Sequence, residues 1–269
     1  MSSVSYRHFT GTAAENYQRD FVPAIATPVS RDLLRAADLR PGERVLDVAC
    51  GTGVISRLAA ERVGLGGSVT AIDIAPDMID VAKAVAGPDG AKIDWRTADA
   101  ESLPLPDASV DVVLCQMGLM FMENRSAAIA EMRRVLSPTG RVVVNTPGRI
   151  QPVYEHLERA IVEHISPDLG GFVSAVFSMH DPDKVAALLR EAGLRDVSAM
   201  ESTTIFRLAA PAEFLWQYIN LTPMAAFIDQ APDDAKAALE RQFVDGVQAH
   251  VIDGVTVVEQ PMVIATANR

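Results

Sequence analysis

Three aspartates and a glycine pair are the residues whose types and spacing point most directly to chemistry. Asp47 lies inside an apolar run, Arg44 to Val48, four residues before Gly51; Gly51-Thr52-Gly53 follows; Asp73 comes 20 residues after Gly53 and Asp99 ends a third run. Glycines let a chain turn sharply and approach a ligand, and a helix starting just after them offers free N–H groups and a partial positive charge. A carboxylate closing the second strand can accept from both hydroxyls of a ribose. Asp47 is of the wrong sign for a pyrophosphate at this loop and of the right sign for an ammonium group. Asp99 can accept from an adenine amino group. The third glycine of a Gly-x-Gly-x-x-Gly pattern would fall at Ser56, and no P-loop lysine follows.

These residues need strand ends to hold them. Short runs rich in valine and isoleucine occur at Arg44 to Val48, Ser68 to Ile74, Lys92 to Ala98, Val110 to Cys115 and Arg141 to Asn145. Being apolar on both faces, most read as buried parallel strands. Helix-period segments separate them: Val54 to Val63, Asp77 to Ala86, and a third through Ile129, Met132 and Leu136 that ends at Pro138 and Gly140. The alternation predicts an α/β fold, a doubly wound, mostly parallel seven-stranded sheet with right-handed crossovers. Phe21, Ile25 and Val29 recur every four residues and predict an N-terminal helical cap over 1–40; the ligand-binding core then spans 41–149. Asp181-Pro182 starts a further helix that Gly193 ends. Strands are expected at Val197 to Leu208 and Val255 to Ala267, within 150–210 and 254–269, and two helices at 211–253 form a lid insertion, all within a single domain of 1–269.

Four stretches give a family resemblance: Val45-Leu46-Asp47-Val48-Ala49-Cys50-Gly51-Thr52-Gly53, Ala71-Ile72-Asp73-Ile74-Ala75-Pro76-Asp77-Met78, the segment from Ala98-Asp99-Ala100 to Val110-Asp111, and Glu131-Met132-Arg133-Arg134-Val135-Leu136-Ser137-Pro138-Thr139-Gly140. In that order and spacing the sequence resembles the class I S-adenosylmethionine-dependent methyltransferases, in particular the quinone-biosynthesis-like small-molecule branch (methyltransferase domain type 11). Ala49 departs from the glycine frequent at its position. The resemblance implies S-adenosyl-L-methionine as cofactor and S-adenosyl-L-homocysteine as product. It also implies that Asp47, Ala49, Gly51 and Gly53 surround the methionine end, that Asp73 holds the ribose, that Ile74 and Met78 flank the adenine, and that Asp99 with the Ala100 N–H reads its edge. Gln116 would lie near the methionine moiety, and Tyr17 would close over the cofactor. Met78, spaced with Ile79 and Ala82, also suits plain core, and Asp73 and Asp99 also suit turn caps.

The implied reaction is in-line transfer of a methyl group to an oxygen, carbon or nitrogen of a small, largely apolar metabolite, oxygen being favoured. Met117, Leu119, Met120, Phe121 and Met122 form a dense adaptable patch after the fourth strand. Met120, Phe121, Tyr154, Trp216 and Tyr218 are therefore the candidates for the substrate pocket. No catalytic base is assigned: His156 and His164 share a helix face without metal-ligand spacing, and His180 and His8 are isolated. No metal site is expected. Cys50, with no neighbouring histidine, reads as small apolar filler. Two other readings stand beside this one, a nicotinamide-dependent oxidoreductase and a cofactor-binding biosynthetic protein that does not transfer methyl.

Composition narrows the partners. Twenty-four basic against 35 acidic residues leave a formal charge of −11, which disfavours nucleic acid and anionic membrane surfaces. No apolar run approaches the roughly 18 residues of a membrane helix, and the start lacks a secretory pattern, so a cytoplasmic protein with a small-molecule substrate is expected. Nothing in the sequence sets the oligomeric state.

Overall fold

The computed structural model describes residues 13–269; His8 lies outside them. Eight strands form one sheet: β1 (Arg44–Val48), β2 (Ser68–Asp73), β3 (Ile93–Thr97), β4 (Val110–Gln116), β5 (Leu136–Pro147), β6 (Arg195–Leu208), β7 (Val251–Ile252) and β8 (Val255–Asn268). Their order is β3-β2-β1-β4-β5-β8-β6, with the two-residue β7 pairing β8 off this path. β1 to β5 pair in parallel, and β8 runs antiparallel between β5 and β6. This is the mostly parallel, doubly wound sheet expected from the alternating runs. The β7–β8 arm turns at Asp253-Gly254, both at positive φ, the geometry that an Asp-Gly pair gives a two-residue hairpin.

Alternation along the strands sends side chains into two different layers. Val113 and Cys115 of β4 join Val142 and Val144 of β5 against the helices Arg125–Val135 and Pro182–Glu191. Val112, Leu114 and Val143 face the opposite way, onto Thr27–Ala37 and Val54–Val63. Full burial of each such side chain contributes roughly 1.5–3 kcal/mol, so the central strands are fixed from both sides. β3 departs from the two-sided burial read in its sequence, because it is the sheet's outer strand and none of its residues is fully buried.

The third crossover helix ends at Val135, and Leu136 already belongs to β5. Pro138 and Gly140 do not end a helix but sit in a bulge, where the register steps from Val110↔Leu136 to Val112↔Arg141. A Cβ at Gly140 would lie 3.0 Å from the Asp111 carbonyl oxygen, which explains the glycine.

A third apolar cluster sits beyond the carboxyl ends of the strands. It joins Ile25 and Val29, the helix Pro152–His164, Phe206 of β6, Val258 and Met262 of β8, and the helices Pro211–Asn220 and Asp233–Gly246. Between β6 and β7 the chain forms these two helices plus the four-residue helix Ala225–Ile228. Among the described residues no helix is long and apolar enough to cross a membrane.

Candidate functional site

β1 ends at Val48, and the chain then takes left-handed φ at Ala49 (57°), Gly51 (54°) and Gly53 (86°) before entering the helix at Val54. Gly53 has a second constraint: a Cβ there would come within 2.2 Å of the Trp95 ring on β3. Arg57 braces the same turn, donating to the Thr52 carbonyl at 2.7 Å with its guanidinium 6.0 Å from the Trp95 ring centre. Ala49, in a conformation costly for a residue with a Cβ, packs against Gly118, where an added Cβ would lie 2.6 Å from that of Ala49.

The loop opens onto a cavity of about 810 Å³, solvent at its mouth included. Tyr17, Ala49, Gly51, Asp73, Ile74, Met78, Asp99, Ala100 and Gln116 all line it. The sequence thus names nine residues that the fold brings to one wall. Asp73 accepts from the Gly51 N–H at 2.8 Å and the Ala75 N–H at 2.9 Å, and Asp99 accepts from the Glu101 N–H at 2.9 Å. Both acids therefore do cap turns, and the Asp73 carboxylate, with about four lone-pair sites, retains acceptor capacity beyond these bonds. Burial pushes the Asp73 carboxyl above its usual range while these N–H bonds pull it back.

Gln116, at the end of β4, donates from Nε2 to the Ala26 carbonyl at 3.0 Å, which ties the sheet to the N-terminal helices. Its Oε1 is buried and has no hydrogen-bond partner among the described residues. Such an acceptor beside two carboxylates and a turn of left-handed backbone suits a ligand with an ammonium end and a hydroxyl-bearing ring, and this set of acceptors fits a nucleoside that carries an amino-acid arm.

Asp47 and Gly53 are absent from this wall. Asp47 is 1% exposed and lies beneath the loop, accepting from the Ser56 hydroxyl at 2.6 Å; burial raises its carboxyl to about 7. It supports the turn rather than facing the cavity. Ser56, at the place of a third glycine, is its anchor. Cys50 is buried and its thiol is pushed well up by that burial, as befits filler.

A second cavity of about 710 Å³ adjoins the first. Tyr17, Met117 and Phe121 line both. Met117 sits at φ 51°, its N–H shared between the Asn145 carbonyl and side-chain oxygens, each at 3.0 Å. Tyr17 stacks on Phe21 at 4.6 Å, in a π-helical stretch, Tyr17–Ala26, that also brings Ile25 to this wall. Of the residues expected at a substrate pocket, Phe121, Tyr154 and Tyr218 line it.

Met120 and Trp216 do not. Met120 is 5% exposed within the core beneath β4, and Trp216 donates its indole N–H to Glu240 between two helices. Phe177, Phe206, Leu221, Thr222, Gln260 and Met262 also line it without having stood out in the sequence, because they come from four separate segments. Gln260 alone carried a readable signal, a polar residue between inward Val258 and Met262. Among the described residues no histidine lines either cavity: His164 pairs with Gln242 and His180 with the Phe177 carbonyl. Among the described residues no cluster of three His, Cys, Asp or Glu could hold a metal ion.

Comparison with known proteins bears on this arrangement. Residues 46–144 match the model of the methyltransferase domain family. The nocamycin O-methyltransferase of Saccharothrix syringae is 31% identical over 254 residues, 89% of this chain and 90% of that one. The chain belongs to this family of methyltransferases. A ubiquinone/menaquinone biosynthesis C-methyltransferase of Paraburkholderia xenovorans is 34% identical over 172 residues, 60% of this chain and 71% of its own. The phosphoethanolamine N-methyltransferase 2 of Haemonchus contortus, solved with S-adenosyl-L-methionine, shares the fold at a TM-score of 0.60 and 17% identity, over 97% of this methyltransferase and 57% of that chain.

The protein is thus an S-adenosylmethionine-dependent methyltransferase of the small-molecule kind. The nicotinamide-dependent alternative is not favoured. In the methyltransferase the helical spacing of Phe21 and Ile25 is met by a π-helical stretch that holds Pro23 inside it.

Proposed function

We propose that the acid-lined cavity holds S-adenosylmethionine and that the adjoining aromatic cavity receives a small, largely apolar acceptor, methylated on oxygen ahead of carbon or nitrogen. The observation that supports this most directly is the shared wall of Tyr17, Met117 and Phe121, which places two cavities of opposite character back to back. On this reading Asp73 accepts from the ribose hydroxyls, Ile74 and Met78 flank the adenine, and Asp99 and the Ala100 N–H address its edge. Gln116 Oε1 accepts from the methionine ammonium, Gly51 and Ala49 shape the loop beside it, and Tyr17 covers the ligand. Asp47 and Gly53 act on the turn from behind. The helices of 211–253 serve as the lid. The preference for oxygen draws on the O-methyltransferase that matches most of the chain.

When bound, the cofactor supplies a methyl group already activated on a sulfonium centre. The protein's part is to hold the acceptor in line with it and to keep water out. Among the described residues the titratable side chains on the aromatic wall are Tyr17, Tyr154 and Tyr218, and burial pushes the hydroxyls of Tyr17 and Tyr154 up, away from the ionised form a base requires.

Calorimetry with S-adenosylhomocysteine, followed by transfer of labelled methyl into a metabolite extract read by mass spectrometry, tests the proposal. Binding and a labelled product are expected. Absence of binding overturns the cofactor site, and binding without label in any metabolite points to a protein that does not transfer methyl.

A further inference from the structure

Gln260 is out of place by the pattern of its own strand. Val258, Gln260 and Met262 alternate inward on β8 and are 2%, 1% and 1% exposed, so a primary amide interrupts an apolar row within the third cluster. Its Nε2 donates to the Pro261 carbonyl at 2.8 Å and to the Arg149 carbonyl at 3.2 Å. Both amide hydrogens are thereby used. Reversing the amide would set its oxygen against two carbonyl oxygens, so the hydrogen-bonding pattern fixes Oε1 as the free group. That oxygen is buried and has no partner among the described residues. A buried acceptor left empty costs stability, and a site that fills it discriminates strongly against ligands unable to donate.

Gln260 lines the aromatic cavity and not the wall shared with its neighbour. Phe21, Phe121, Phe177 and Phe206 line the same cavity, and among the described residues no Asp, Glu, Lys, Arg or His does. An ionised ligand would be desolvated there without a charged partner on the wall, whereas a flat aromatic one would match it. Thr222 already spends its hydroxyl hydrogen on the Ile219 carbonyl, 2.9 Å away.

We propose that Gln260 is the specificity-determining hydrogen-bond acceptor of the acceptor cavity, selecting uncharged aromatic ligands that present an O–H or N–H donor to it. This rests on the reading of the aromatic cavity as the acceptor site. The probes are 2-naphthol and 2-methoxynaphthalene, which differ in that donor, titrated calorimetrically into the full-length protein saturated with S-adenosylhomocysteine. The wild type is expected to bind 2-naphthol about tenfold more tightly. In Gln260→Leu, and in Gln260→Met, which keeps side-chain length if the first variant fails to fold, the two probes should bind within about threefold of each other, with affinity for S-adenosylhomocysteine unchanged. Failure of both probes to bind, equal binding by the wild type, or a preference that survives in a folded variant overturns the proposal. S-adenosylhomocysteine binding with no naphthol preference defeats this inference alone; loss of S-adenosylhomocysteine binding in the wild type defeats the cofactor site itself.

Discussion

The two cavities were assembled by different means. The acid-lined one is built largely at the carboxyl ends of β1, β2, β3 and β4, where each polar residue is placed by the turn that its own strand enters. The aromatic one draws on the π-helical stretch, the segment after β4, Tyr154, the region of Val176 and Phe177, β6, the helix Pro211–Asn220 and β8, and no two of these are joined by a short motif. The first is a property of local backbone geometry, the second of tertiary packing. A ligand common to many enzymes can be met by the former, and an acceptor peculiar to one enzyme by the latter.

Substitutions should separate the two cavities. The largest effect is expected from Asp73→Ala, which removes the proposed ribose contact and unpairs the Gly51 and Ala75 N–H groups. Two charge-assisted hydrogen bonds at about 1.5 kcal/mol or more each correspond to a loss of about 100-fold in S-adenosylhomocysteine affinity by calorimetry. Binding that stays within threefold would detach Asp73 from the cofactor. Phe206→Ala works on the other wall: truncating this buried ring should cost about 3 kcal/mol in urea unfolding, while S-adenosylhomocysteine affinity per folded molecule stays within about twofold. A comparable loss of cofactor affinity would show the two walls to be one mechanical unit.

The smallest effect concerns the support beneath the loop. Asp47 has its carboxyl raised by burial from 3.8 to about 7, so between these values the folded state holds a proton that the unfolded chain releases. The stability contributed by that proton is complete below about pH 3.8 and is lost as pH rises to 7, at up to about 1.4 kcal/mol per pH unit. Asp47→Asn removes this dependence, so denaturation midpoints followed from pH 5 to 6.5 should fall less steeply for the variant than for the wild type. Parallel slopes would mean that Asp47 titrates as it does in the unfolded chain.

The same contrast explains what could be read from the residues alone. Asp73, Asp99, Gln116 and the glycine turn were legible because strand ends and turns follow from short-range pattern, and the mostly parallel sheet from the alternation of strand and helix. Asp47 was legible in position but not in orientation: its placement under the loop depends on Ser56 reaching back across nine residues. Trp216, a large aromatic on the helix Pro211–Asn220, reads as a pocket residue, yet Glu240 on a neighbouring helix takes its N–H. Phe177 and Phe206 gave no sign at all, since an aromatic at core spacing looks the same whether it faces another helix or an open space. The outer strand β3 misled for a related reason, as apolar composition does not tell which strand ends up at the margin.

Tyr17, Met117 and Phe121, common to both walls, carry a consequence for binding. Whatever settles these three side chains on one side has already spent the ordering entropy for the other, and thermodynamic linkage makes the advantage mutual. On the proposed assignment of the two cavities, a cofactor and an acceptor that each order these three side chains bind cooperatively.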